Sequence, residues 1–391
     1  MFTQLIFKYS KAQRWLIFGL SSAHAAATLA VILVGYKAGI LDENILNGTI
    51  ILILITCIVA SFVTEKAAKK IIIETEDDSA DLIKVSGVHD EHVLLPIANV
   101  GNIEKLLEFS IFIKDKKSPN PISILSVVSN NGEAEVNILK ARNKLQEFVK
   151  QASASETKVN VITTIDHNPA SGIARISKEV MADIIILGWP RRTGFIDKLI
   201  GEKVDGILNN TNKTTFICYL EKPLVLHKRI VIAVPPLAEH ENGFEHWLTK
   251  VSKLAQELSI PIQLYCNEAT EKSIGKVVKS AKLSTSITFT LFNDWEDFLI
   301  LAKNIHEADL FILISARKGA TSHMAVLENL PVKLEKHFPF NSKIVVYPQQ
   351  FNQNFVIERY EDISSEPLNK GIETIQKIGK GIGSIFKKDN K

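Results

Sequence analysis

The chain has 391 residues, 46% of them hydrophobic and 23% charged, with a formal net charge of +3. That length and apolar content suit two or three separately cored units, and the near-neutral balance gives no general electrostatic reason to bind nucleic acid. Cys57, Cys218 and Cys266 lie far apart, with neither metal-ligand spacing nor a paired framework, which excludes a disulfide-stapled scaffold and fits reduced thiols in or facing a cytoplasm.

The first predicted element runs from Trp15 to Tyr36, 22 residues without Lys, Arg, Asp or Glu. At 1.5 Å per helical residue this crosses a hydrocarbon core of about 30 Å. Asn44 to Thr64, NILNGTIILILITCIVASFVT, is a second such span. The connecting loop holds Lys37, Asp42 and Glu43, whereas Lys8, Lys11 and Arg14 precede the first span and Lys66, Lys69 and Lys70 follow the second. The basic excess places both ends, and everything after about residue 65, in the cytoplasm. A signal peptide is the rival reading, with Ala23-His24-Ala25 as a small-residue cleavage site. The apolar run continues for eleven residues beyond Ala25, which weighs against it. A buried soluble hairpin is the other alternative, and two adjacent charge-free runs of this length are uncommon in soluble cores.

Within the first span Ser21, Ser22, Ala23, Ala25, Ala26, Ala27 and Thr28 are small and suit close helix packing. His24 is the one basic side chain in either span. Two readings stay open for it: a neutral histidine hydrogen-bonded across a helix interface, or a proton-responsive group beside an ion path, which makes His24 the candidate transport residue.

After Lys70 short β-branched runs alternate with amphipathic helices. Apolar strands are predicted at 92–98, 122–128, 158–165, 183–189 and 214–220, with helices through Phe112 and around 133–151 and 170–181 and another after 189. The series restarts with strands at 229–235, 261–266, 286–292, 309–315 and 343–348 and helices about 243–258, to 282, 295–306 and 321–337. Fully apolar strands alternating with helices indicate parallel sheets covered on both faces. Ala182-Asp183 and Ala308-Asp309 introduce the fourth strand of each series at an offset of 126 residues, an internal duplication.

The stretch FGLSSAHAAATLAVILVGYKAGILDENILNGTIILILITCIVASFVTEKAAKK resembles the last part of the membrane domain of bacterial monovalent cation:proton antiporters, over roughly residues 1 to 70. That resemblance implies secondary exchange of sodium or potassium for protons at the bacterial inner membrane. It further implies that the chain is the C-terminal portion of a longer transporter, with its remaining transmembrane helices, the lipid bilayer, monovalent cations and protons as partners and a homodimer as a further expectation. Neither span contains the family's ion-binding carboxylates.

Each β-α series resembles a universal stress protein domain. In that family the fourth strand leads into a glycine-spaced loop that cradles ATP phosphates, and an aspartate after the first strand contacts the nucleoside. Gly188, Gly194 and Gly201 match three family glycines, while Arg191 takes the place of the other, Glu202 that of the usual serine, and Ala98 that of the aspartate. Arginine resists the positive φ that glycine permits, and a carboxylate beside the loop repels phosphate. ATP is therefore disfavoured and no cofactor or metal is expected. Arg191 and Arg192 remain candidates to hold some anion in a degenerate nucleotide or anion loop. In the second series Ile314, Ala320 and Leu327 stand at the glycine positions, where a branched isoleucine at a turn needing an unusual φ would be costly, so the second copy is expected to serve as a packing partner. His89, His246 and His306 show no nucleophile-base-orienter spacing, so no catalytic residue is assigned.

The expected architecture is a membrane α-helical hairpin followed by α/β, two tandem doubly wound parallel-sheet universal stress protein-like domains. Residues 1–70 hold the spans at about 15–36 and 44–64, 71–90 a linker, 91–222 the first domain, 227–350 a degenerate second, and 351–391 a basic tail. In the tail Leu368, Ile372, Ile375, Ile378, Ile382 and Ile385 recur at helical spacing among lysines, for an interfacial helix or a disordered segment. The function implied is that of a non-enzymatic cation:proton exchanger whose soluble domains regulate exchange. The alternatives are a free-standing membrane-anchored sensor or interaction protein, and an ATP-hydrolysing stress domain.

Overall fold

The computed structural model describes residues 9–22, 26–79, 90–98, 101, 103–152, 158–189 and 198–350. His24, His89, Arg191, Arg192, Gly194 and the tail 351–391 lie outside the described residues. Three helices come first: α1 (Lys11–Ser22), α2 (Ala26–Lys37) and α3 (Glu43–Ser79). Lys11–Lys37 and Glu43–Ile71 are each long and apolar enough to cross a membrane, and only 7% and 6% of their apolar windows are buried. Ile51, Leu52, Leu54, Ile55, Val59 and Phe62 are exposed, the opposite of a soluble core hairpin. The turn between them uses Gly39 at φ +71°, and Asp42 caps α3 by accepting from the Ile45 N–H at 2.8 Å.

Among the described residues the hairpin closes through a small residue, Gly19, while Ala23, Ala25 and the side chain of Ala26 lie outside the described part of the 21–28 stripe. A Cβ on Gly19 would lie 2.3 Å from Thr64 Oγ1 and 3.2 Å from the Ala60 carbonyl, so only glycine permits this approach of α1 to α3. Ser21 and Ala27 are exposed. The Ser21 and Ser22 hydroxyls donate back to the Ile17 and Phe18 carbonyls, which hides their polarity within the helix.

The second span continues well past Thr64. Thirty-seven residues at 1.5 Å extend about 55 Å, roughly 25 Å more than a hydrocarbon core. Strong helix formers follow the apolar run, no Gly or Pro interrupts 49–79, and Lys69 pairs with Glu65 one turn back at 3.0 Å. Much of the predicted 71–90 linker is thus helix.

Next come β1 (Val93–Pro96), α4 (Ile103–Ile113), β2 (Ile122–Ser129), α5 (Ala134–Ala152), β3 (Val159–Asp166), α6 (Pro169–Glu179), β4 (Ile184–Gly188), α7 (Lys198–Asn210) and β5 (Thr214–Tyr219). The second series is β6 (Arg229–Ala233), α8 (Phe244–Leu258), β7 (Ile262–Cys266), α9 (Glu268–Ser280), β8 (Ile287–Leu291), β9 (Asp309–Ile314), α10 (Ala325–His337) and β10 (Ser342–Tyr347). All ten strands form one sheet in the order β3-β2-β1-β4-β5-β10-β9-β6-β7-β8. Every neighbouring pair is parallel except the central β5/β10, which runs antiparallel from Tyr219 opposite Lys343 to Thr215 opposite Tyr347. The central strands β1, β4, β6 and β9 are apolar and almost wholly buried, as helices on both faces require. Along the seam Phe216, Cys218, Ile344 and Val346 enter one core, and Ile217 and Val345 the other.

The repeated Ala-Asp pair has a structural reason. Asp183 accepts from the His92 N–H at 2.9 Å and Asp309 from Arg229 Nε at 3.1 Å, so each carboxylate fastens the start of the fourth strand to the start of the first. The helix expected at 295–306 is instead a 3₁₀ segment, Phe298–Asn304. There Trp295 stacks on Phe298 with ring centroids 5.6 Å apart, and Phe292, Phe311 and Phe338 continue the cluster. These side chains fill the layer under the sheet in place of a longer helix.

Candidate functional site

Gly188 ends β4, where the Trp189 N–H donates to the Cys218 carbonyl at 2.8 Å and a Cβ at 188 would lie 3.1 Å from Leu106 Cδ1. Gly201 lies within α7, and Ala98 is exposed just after β1. Of the predicted loop, Gly188 and Gly201 are thus placed, while Arg191, Arg192 and Gly194 fall outside the described residues.

The equivalent loop of the second half is held at many points. Ile314 is fully buried at the end of β9, and the turn of positive φ falls at Gly319, φ +82°. Leu327 packs into the core at 1% exposure. The Ser315 N–H donates to the Val346 carbonyl at 2.8 Å, and both the Ser322 N–H and Oγ donate to Glu241 Oε1 at 2.8 Å. Arg317 is only 7% exposed and crosses the seam through Nη2, which donates to the Lys213 carbonyl at 2.5 Å, while its Nη1 donates to the Pro348 carbonyl of its own half. Burial pulls the guanidinium down to about 10, with the Tyr347 phenol and the Glu241 carboxylate acting the other way.

Over the β5/β10 seam, between α7 and α10, lies a cavity of about 330 Å³. Ile217 and Val345 form its floor, Val204 and Leu208 one wall, and Leu327 and Val332 the other. Trp189 closes one end and Ser315–Lys318 the opposite one. At the second end Glu328 meets both His323 Nε2 at 3.2 Å and Lys318 Nζ at 3.5 Å. Burial raises the Asp205 carboxyl there, Lys318 opposing and Glu328 reinforcing the shift. Sequence reading missed this site although a signal existed. The offset of 126 that carries Ala182-Asp183 to Ala308-Asp309 also carries Arg191 to Arg317, Arg192 to Lys318 and Glu202 to Glu328. Both halves therefore share the same departures from the family loop.

The same loop touches the membrane helix: Lys69 Nζ, on α3, donates to the His323 carbonyl at 3.2 Å. On the other face Glu91 fastens the two halves. Its carboxylate pairs with Lys250, whose side chain is 5% exposed, lies 3.5 Å from His246 Nε2 and accepts from the Asp115 N–H at 2.7 Å. Burial alone would raise the Glu91 carboxyl, but hydrogen bonding from His246 and the charge of Lys250 hold it down at about 2. His246 Nδ1 also lies 3.0 Å from Thr214 Oγ1, an order of groups that mimics a nucleophile, base and orienter and was not visible in the spacing. Thr214 is fully buried and the Glu91 carboxylate is committed to Lys250, so the arrangement fastens the seam without offering a nucleophile to substrate. Among the described residues, no cluster of three or more His, Cys, Asp or Glu is arranged to hold a metal.

Residues 91–218 match the universal stress protein family. The chain is also homologous to the Na(+)/H(+) antiporter NhaS5 of Synechocystis sp., 28% identical over 51% of this chain and 32% of that relative. It thus spans about a third of that protein's length. Among solved structures it is similar to a universal stress protein from Archaeoglobus fulgidus, 15% identical over 68% of this chain and 98% of that one, TM-score 0.47. It is also similar to the cytoplasmic domain of a prokaryotic cation chloride cotransporter, 13% identical over 67% of this chain and 96% of that one, TM-score 0.47.

Proposed function

We propose that this chain serves in a bacterial sodium(or potassium)/proton antiporter, contributing two membrane helices and a cytoplasmic stress-protein-type body that regulates exchange. What supports the reading above all is homology to a Na(+)/H(+) antiporter in a chain with two apolar, outward-facing helices. Two spans without a carboxylate cannot by themselves build a cation site at the bilayer midplane, so the reading requires further transmembrane helices as partners. The basic residues flanking the spans support a cytoplasmic location for the sheet. His24 remains the transport candidate of this portion, as a proton-responsive group. No cofactor enters the reading, because Arg191 and Glu202 replace the residues that would receive ATP phosphates.

Regulation has a physical route. Helix α3 leaves the apolar span without a break, and one turn later Lys69 is bonded to the loop that lines the seam cavity. A rigid helix transmits displacement of that loop to the membrane segment in a way that a flexible linker would not. The test is cation-dependent dequenching of an acridine dye in everted vesicles from an antiporter-deficient bacterium expressing the native gene product. Sodium or potassium should dissipate the proton gradient, with altered pH dependence in Lys69→Met and in His24→Gln. Absence of any cation response at neutral and alkaline pH would overturn the assignment.

A further inference from the structure

We infer that β8, the outer edge of the second half, is an interface for a second copy of this chain, the two β8 strands pairing antiparallel about a two-fold axis at Thr288. The pairing goes beyond the transport reading and stands on the backbone, side chains and charge of the edge itself. β8 ends the sheet order, and among the described residues no strand lies beyond it. The bonds at its two ends fix which backbone groups point outward. The Ile262 N–H donates to the Ser286 carbonyl at 2.9 Å and the Phe292 N–H to the Cys266 carbonyl at 2.9 Å. Successive residues of a strand aim their backbone groups to opposite sides. Ser286, Thr288, Thr290 and Phe292 therefore face β7, and Ile287, Phe289 and Leu291 present N–H and C=O to the outside.

Sheet edges are ordinarily blunted by charge, proline or a bulge. The other edge of this sheet follows that rule: Arg175 donates to Thr164 of β3 at 2.8 Å and lies 3.8 Å from Asp166. At β8 the stretch 283–293, LSTSITFTLFN, has no charge, glycine or proline, and Leu291 is 64% exposed. An edge left so bare is a template for another strand.

Charge selects the occupant. The neutral stretch is bounded by Lys279 and Lys282 before it and by Asp294, Glu296 and Asp297 after it, all exposed. Antiparallel pairing of two copies brings the basic end of each towards the acidic end of the other, the self-complementarity that a two-fold contact requires. Lys282 and Asp294 each stand six residues from Thr288, so an axis there sets them against each other twice. The same axis makes Thr288 a non-hydrogen-bonded pair with its counterpart and sets Ile287 opposite Phe289 of the second copy. That is a β-branched and aromatic pair joined through the outward backbone groups.

The test is cysteine cross-linking of the full chain in native membranes, in a Cys57→Ser background whose remaining Cys218 and Cys266 are buried. Non-hydrogen-bonded antiparallel pairs hold their Cα atoms about 4.5 Å apart, within the disulfide range of about 4.4–6.8 Å. Thr288→Cys is therefore expected to give a species of twice the chain mass on mild copper-phenanthroline oxidation. Asn160→Cys, exposed on β3, should not. Leu291→Lys, at an exposed position, should reduce the dimer about tenfold. Lys282→Glu should weaken it, with recovery when Asp294→Lys is added. No dimer from a Thr288→Cys chain that still reacts with a maleimide would overturn the assignment. So would equal dimer from Asn160→Cys, a product of another mass, undiminished dimer with Leu291→Lys, or no recovery in the charge-exchanged variant. Because cross-linking reads only the approach of two strands, its failure is distinct from a failure of cation exchange in the vesicle assay.

Discussion

The two halves of the sheet part company where their fourth strands end. The first keeps Gly188, with a neighbouring Leu106 side chain in contact range of a Cβ there; the second carries Ile314, fully buried, and turns five residues later at Gly319. The second loop has fixed partners on three sides: the seam through Arg317, Glu241 through Ser322, and helix α3 through Lys69. The contrast teaches that a buried isoleucine in place of glycine turns the end of the fourth strand from close backbone approach to side-chain packing.

Exchanging the two positions is the strongest way to break that comparison. Ile314→Gly should destabilise the chain by about 3–5 kcal/mol from the lost side chain and its cavity, plus about 1 kcal/mol of backbone entropy, followed by tryptophan fluorescence during denaturant unfolding in nanodiscs. A loss no larger than that from Gly188→Ala would show that the two positions are not differently used.

Next in size is the fastening between the halves. Glu91→Gln leaves the Lys250 ammonium buried without its counter-charge and should cost about 3 kcal/mol, much of it restored in the double variant with Lys250→Met. The folded carboxyl titrates near 2 against an ordinary 4.5. Its stabilisation is therefore complete above about 4.5 and is lost as pH falls towards 2, where wild type and Glu91→Gln should converge.

Lys343 sharpens the seam at the alkaline side. It is 1% exposed, donates to the Phe338 carbonyl and lies 4.1 Å from the Tyr219 ring centroid, and burial lowers its ammonium from 10.5 to about 8. The unfolded chain then holds the extra proton between those values, so stability should rise with pH by up to about 1.4 kcal/mol per unit across that window. Lys343→Met should flatten the slope.

The two smallest effects separate structure from linkage. Gly188→Ala meets only the end of a leucine side chain that can move aside, and its cost should stay below about 1 kcal/mol. Lys69→Met should likewise change unfolding by less than about 1 kcal/mol while shifting the pH profile of exchange in vesicles. A normal profile would detach α3 from any regulatory role.

The loop after the fourth strand was partly legible, because glycine spacing is a local signature and Gly188, Arg191, Arg192, Gly194 and Gly201 could be read against a family pattern. Its second copy was legible only as a loss of glycines. The retained Arg317, Lys318 and Glu328 went unread, since their importance depends on what lies across the seam. The extension of α3 to Ser79 also escaped, because hydropathy marks where an apolar span ends and says little about where the helix does. The Thr214, His246 and Glu91 contacts join three elements between 32 and 155 residues apart, a distance no spacing rule reaches.

Runs of apolar residues, their β-α alternation and the offset of 126 determined that this chain has two membrane-length helices and a duplicated α/β body, because periodicity and hydropathy act on neighbours in the chain. Only the tertiary structure decided that the duplicates share one sheet through β5 and β10, that a cavity opens over that seam, and that Arg317 is buried beside it with no counter-ion among the described residues. Pairing of two edge strands and the dielectric around a charge depend on which surfaces meet, and that is settled when the remote segments pack together.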